Sequence, residues 1–142
     1  NLDLRRDISR EIRRFKPDIL ITTNPTRTLT GSGYIGHPDH FAAGEATLSA
    51  IYPAARDHLT FPELLEEGFE THKVREVLIM GHDKPDKWID VSSSIDIAIE
   101  SLLAHKSQLG IEAAERSKEW KKHAGKEHHM GYAEGFKSFK LS

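Results

Sequence analysis

The chain has no cysteine. Disulfides and thiolate chemistry are thereby excluded, and any metal site must draw on His, Asp or Glu. An excess of either charge is also missing: 20 Lys and Arg stand against 22 Asp and Glu, a formal net charge of −2. No broad positive field therefore marks the chain for nucleic acid or an anionic membrane. No apolar run approaches the ~20 residues that span a bilayer, so no membrane span is expected. Internal repeats and low-complexity linkers are absent as well. What is present is ordinary for a globular protein: 142 residues, 37% apolar and 30% charged. One α/β domain over residues 1–142 and a cytoplasmic location are expected. The chain opens on Asn1 in mid-helix pattern, so it is expected to be the C-terminal portion of a larger domain.

Leu4, Ile8, Ile12 and Phe15 form one apolar stripe of a helix that must end before Pro17. The run Ile19-Leu20-Ile21 reads as a strand covered on both faces. A polar loop from Asn24 to Gly36 follows, at the strand edge where α/β sheets build their sites. Pro38 to about Ile51 suits a helix with a small-residue face, because proline fits the first helical position. A short helix at Pro62–Glu67, a buried strand in REVLIMG and a short strand at Trp88–Val91 come next. Ser92 to Ser94 can cap a helix carrying Ile95, Ile99, Leu102 and Leu103. A helix over Glu112–Lys122 precedes looser structure. This order predicts a Rossmann-like layered α/β fold with a mostly parallel sheet, here an incomplete domain.

The stretch GSGYIGHPDHFAAGE, Gly31 to Glu45, concentrates the chemistry. His37 lies just before the helix and His40 in its first turn, so both rings fall on roughly one side. Neutral imidazole is a common zinc ligand, and catalytic zinc takes three protein ligands with one position open. One ring could bind metal while the other acts as acid, base or oxyanion donor. Asp39 could orient one of them by accepting its N–H. A His-x-x-His pair also arises by chance, and helix starts favour Pro and Asp in any case. The preceding loop and buried strand strengthen the case for a site without deciding it.

At YIGHPDHFAAGEA the chain resembles the LmbE / PIG-L family of zinc-dependent N-deacetylases, which act on N-acetylglucosaminyl conjugates and related amides. IRRFKPDILITTNP, GHPDHFAAGEA, WIDVSSSIDIAIESLLAHKSQ and YAEGF occur in the family's order. The resemblance implies Zn2+ as cofactor and a small N-acetylated sugar conjugate as the bound partner. It implies His40 as a zinc ligand and His37 as the catalytic histidine that steadies the tetrahedral oxyanion. Asp39 would hold His37 in place, and Tyr34 and Tyr132 would contact substrate. One departure is large: the family's second His-Pro-Asp-Asp element, source of two further zinc ligands and a general base, is absent here. The intact protein, rather than these residues alone, is then the expected hydrolase.

The remaining histidines carry less. His58, His72 and His82 fall in connections, and His123, His128 and His129 sit among Lys and Glu as a surface cluster. His105 reads as a helix C-terminal histidine favoured by the dipole, with a site-facing or packing role open through the resemblance. The alternative to an enzyme is a non-catalytic Rossmann-like module that binds a sugar, a nucleotide or a partner, or a degenerate half-domain. A phosphate site at the His40 helix start is weaker, since GSG does not match a phosphate loop. Specificity is expected in Asn24–Gly36 and Tyr52–Thr71. Homo-oligomerisation stays open, because a helix stripe serves a core or an interface equally.

Overall fold

The computed structural model describes residues 1–27, 29 and 35–142. Two compact units are distinguished, residues 1–84 with 137–142 and residues 85–136.

The first unit opens with α1, Leu2–Phe15. Asn1 caps it by accepting from the Leu4 N–H at 2.8 Å, satisfying one of the free donors of a helix start. It stops at Lys16, which turns left-handed with φ 50° ahead of Pro17, a residue that disfavours helix before it. β1, Ile19–Thr23, and β2, Glu76–Met80, pair in parallel, with Ile21 opposite Leu78. α2, Pro38–Ile51, lies between them in sequence. A 3-10 turn at Ala54–Arg56 and α3, Pro62–Glu66, fill the connection to β2. Ile12, Ala50, Ile51, Ala55, Val74, Val77 and Ile79 form the core.

Two expectations change here. Leu4 and Phe15 are exposed, so only Ile8 and Ile12 of the apolar stripe pack inward. β1 is not covered on both faces: Ile19 and Ile21 are 51% and 53% exposed, while Thr22 is buried. Among the described residues β1 has a strand neighbour, β2, on one side only, which explains the difference from β2, where Val77, Leu78 and Ile79 are all buried.

The second unit holds β3, Lys87–Asp90, α4, Ile95–Leu103, and α5, Ile111–Glu127. It ends in the first part of β4, Ala133–Lys140. Trp88 pairs with Gly135 in antiparallel register, and a Cβ on Gly135 would come 2.7 Å from the indole ring. That close approach demands glycine. His128 stacks on Trp88 with ring centroids 4.0 Å apart, so it is no member of a loose surface cluster. Ser94 occupies the cap position of α4 but its hydroxyl bonds the Val91 carbonyl instead of a helix N–H.

The fold is mixed α/β, as expected. The sheet differs from the mostly parallel one anticipated: β1–β2 is parallel and β3–β4 antiparallel. β4 arises where looser structure was expected. Its sequence AEGFKSFK has weak strand character, and the pairing with β3 supplies the hydrogen bonds that local propensity does not.

Candidate functional site

α2 starts where β1 ends, and three contacts set that junction. The Thr23 hydroxyl donates to the His40 carbonyl at 2.6 Å. The Asn24 amide donates to the Met80 carbonyl at 3.1 Å, extending the β1–β2 ladder by one residue. Gly44 lets the helix close on the strand end, since a Cβ there would lie 2.5 Å from the Thr23 carbonyl oxygen. Among the small residues of this helix, Gly44, Ala46 and Ala50 are buried.

His37 is the N-cap of α2 and Pro38 its first residue. The Asp39 N–H donates to His37 Nδ1 at 3.4 Å, and the Asp39 carboxylate lies 3.5 Å from the same nitrogen. One ring nitrogen cannot serve both at once. Unprotonated, Nδ1 accepts the helix N–H; protonated, it faces the carboxylate. Asp39 is thus placed to hold His37 in either state. The His37 and His40 rings lie 6.0 Å apart at 56°. Both histidines and Asp39 are exposed, so these groups are open to an incoming ligand.

The approach to this cluster is shaped by two further residues. Gly36 adopts φ +82°, and a Cβ on it would meet the Phe41 ring at 2.4 Å. The Arg27 guanidinium lies over the same ring, 4.9 Å from its centroid. Both residues fall within Asn24–Gly36, a segment expected to carry specificity, though no individual role was expected for either.

Of the expected site residues, the fold brings His37, Asp39 and His40 together. Tyr34 lies outside the described residues. Tyr132 belongs to the second unit, where its N–H donates to Ser92 Oγ at 2.9 Å and Lys118 Nζ lies 5.9 Å from its ring. His105 is exposed just past the end of α4. The two segments expected to carry specificity do meet: Asn24, Pro25 and Thr26 share a cavity of about 480 Å³ with Tyr52. Its floor includes Ile51, Val77 and Ile79.

Known proteins share this arrangement of elements. Diacetylchitobiose deacetylase of Thermococcus kodakarensis is 26% identical over 106 residues, covering 75% of this chain and 38% of that protein. N,N'-diacetylchitobiose deacetylase from Pyrococcus horikoshii superposes with a TM-score of 0.82 at 17% identity, over 99% of this chain and 52% of that one. The conserved protein TT1542 from Thermus thermophilus superposes at 0.73 with 22% identity, over 99% of this chain and 60% of that one. No protein-family model matches. The chain therefore shares the deacetylase fold, agrees with the family resemblance, and spans only about 38% to 60% of the length of these relatives.

Zinc chemistry suits the donors present, because two neutral imidazoles beside a carboxylate are ordinary zinc surroundings. Their number does not complete a site. Among the described residues no group of three His, Cys, Asp or Glu is placed to hold a metal. Among the same residues no helix is long and apolar enough to cross a membrane.

Proposed function

We propose that this chain forms the HPDH-bearing part of a zinc-dependent N-deacetylase that hydrolyses the acetamide of an N-acetylglucosaminyl-type conjugate. The observation that carries this reading is the placement of His37, Asp39 and His40 at a helix start fastened to the end of β1, on a fold shared with a diacetylchitobiose deacetylase. His40 would contribute one metal ligand, with the rest of the donor set and the general base supplied from outside the described residues. Zinc, when bound, supplies Lewis-acid polarisation and a water acidified toward neutral pH.

The protein's own groups then divide the remaining work. His37, protonated at Nδ1 and held by Asp39, presents Nε2–H to the oxygen on which charge develops. The same proton can pass to the departing nitrogen, so acetate and a free amine leave. Both rings are exposed and so open to a ligand. One preorganised donor of this kind is worth roughly 10²–10³ in rate.

Zinc content and release of free amine from N,N'-diacetylchitobiose test the assignment together. His37→Ala is expected to keep zinc and lose rate by about 10²–10³-fold, whereas His40→Ala loses both. Equal zinc content with equal loss of rate in the two variants contradicts the roles. A non-catalytic binding module is the second reading, favoured by the incomplete donor set among the described residues. Sugar binding without zinc or turnover would decide for it.

A further inference from the structure

Four arginines of the first unit spend their charge locally. Arg6, Arg10, Arg14 and Arg75 each lie against a carboxylate. Arg27 is different. No carboxylate pairs with it among the described residues, and it is exposed. Yet its position is built. Asn24 Oδ1 accepts the Thr26 N–H at 3.0 Å, closing an Asx turn immediately before Arg27. The Asn24 side-chain amide is tied in turn to the Gly81 carbonyl at 3.3 Å. The guanidinium then lies over Phe41, the residue after His40, and Gly36 leaves room for that ring on the side of His37.

The guanidinium carbon lies over the ring, and among the described residues no hydrogen-bond acceptor or carboxylate engages the Arg27 N–H groups. Those form the fork that grips a carboxylate or phosphate through two parallel hydrogen bonds. Asp39 is the acidic neighbour in the same turn, and His37 is its partner. The cation beside HPDH is thus a positioned and unspent one.

We propose that Arg27 is a specificity-determining residue that selects substrates bearing an oxyanion, a phosphate or carboxylate, over neutral N-acetylated sugars. The proposal rests on the deacetylase reading for the sugar part of the ligand, and on Arg27, Phe41 and Gly36 for the anionic part. Its consequence is that this protein prefers a different substrate from the neutral disaccharide named for its relatives.

Titration calorimetry on the purified protein tests it, with N-acetylglucosamine 6-phosphate, N-acetylmuramic acid, N,N'-diacetylchitobiose and inorganic phosphate as probes. The sugar phosphate or the sugar carboxylate is expected to bind on the order of tenfold tighter than the neutral disaccharide, less so at high salt. Whichever of the two is preferred identifies the oxyanion. Arg27→Gln should abolish the preference and leave neutral-sugar binding unchanged. Arg27→Lys should restore part of it, since a point charge lacks the fork. Phe41→Leu keeps the charge but removes its platform, and should weaken the preference. Equal binding of charged and neutral sugars, no binding of either, or a preference that survives Arg27→Gln would overturn the proposal. So would inorganic phosphate binding as tightly as the sugar phosphate. Preference without deacetylation would sink the deacetylase reading alone and leave the role of Arg27 standing.

Discussion

Arg13 and the His37–His40 pair belong to the same unit, and their surroundings are opposite. Arg13 is 1% exposed, and its guanidinium donates to the carbonyls of Ala54, Ala55, Asp57, Thr60 and Phe61 at 2.8 to 3.5 Å. Burial pulls its pKa below the usual value, the carboxylates of Asp57, Glu63 and Glu70 opposing that shift. All three guanidinium nitrogens are spent on holding one loop, including Phe61 at φ 56°. His40 is held by its backbone carbonyl and His37 by one ring nitrogen, and both rings stay exposed. The contrast teaches where this fold invests its polar groups. A buried cation fixes the scaffold because its removal orphans several carbonyls at once, whereas exposed imidazoles remain available to a ligand.

The largest effect expected from breaking that contrast is Arg13→Met. Methionine fills much of the space but leaves the loop carbonyls unpartnered, a loss of roughly 3 kcal/mol or more. Chemical denaturation would read it, and a loss below about 1 kcal/mol would show that water replaces the guanidinium. Next comes Gly44→Ala. The added methyl must push α2 off the Thr23 carbonyl, which is backbone and cannot rotate away. A cost of roughly 2–3 kcal/mol in stability is expected, together with weaker ligand binding at His40. Unchanged stability would mean that the helix slides without penalty.

Smaller again is the acid response of the loop that Arg13 holds. The Leu59 N–H, and then the Thr60 hydroxyl, bond to the Asp57 carboxylate and depress its pKa below the ordinary carboxylate value. A depressed folded pKa means stability that is present above the unfolded value and lost as pH falls through the folded one. Hydrogen exchange at Leu59 should therefore quicken below the usual carboxylate range, and Asp57→Asn should flatten that dependence. Exchange independent of pH-dependent opening would refute the link. The smallest effect belongs to the site itself. His40→Ala should change thermal stability by less than about 0.5 kcal/mol, because the ring is exposed and its loss leaves no void. A large drop in Tm would reassign His40 to the scaffold.

Much of this was readable along the chain. α1 ends shortly before Pro17, α2 begins at Pro38, and β2 is the unbroken apolar run it looked to be. These are local matters of proline geometry and residue period. The position of HPDH at a helix start followed from the same local rules, and the fold places its three polar residues together. β4 was not readable, because AEGFKSFK becomes a strand only through its pairing with β3. Nor was the exposure of Ile19 and Ile21. Their apolar run reads like that of a central strand, and only the strand order leaves β1 with one strand neighbour among the described residues.

The sequence by itself determined the donor chemistry: no thiol, two imidazoles and a carboxylate in four residues, and no charge excess to suggest a polyanionic partner. It also determined where α1 stops and α2 starts, since Pro17 and Pro38 act on their immediate neighbours. Only the tertiary structure decided that Arg13 would be buried in carbonyls while Arg27 lies exposed over Phe41 with no carboxylate paired to it among the described residues. Both are arginines in polar stretches, and a charge is spent or left available according to what distant segments bring against it.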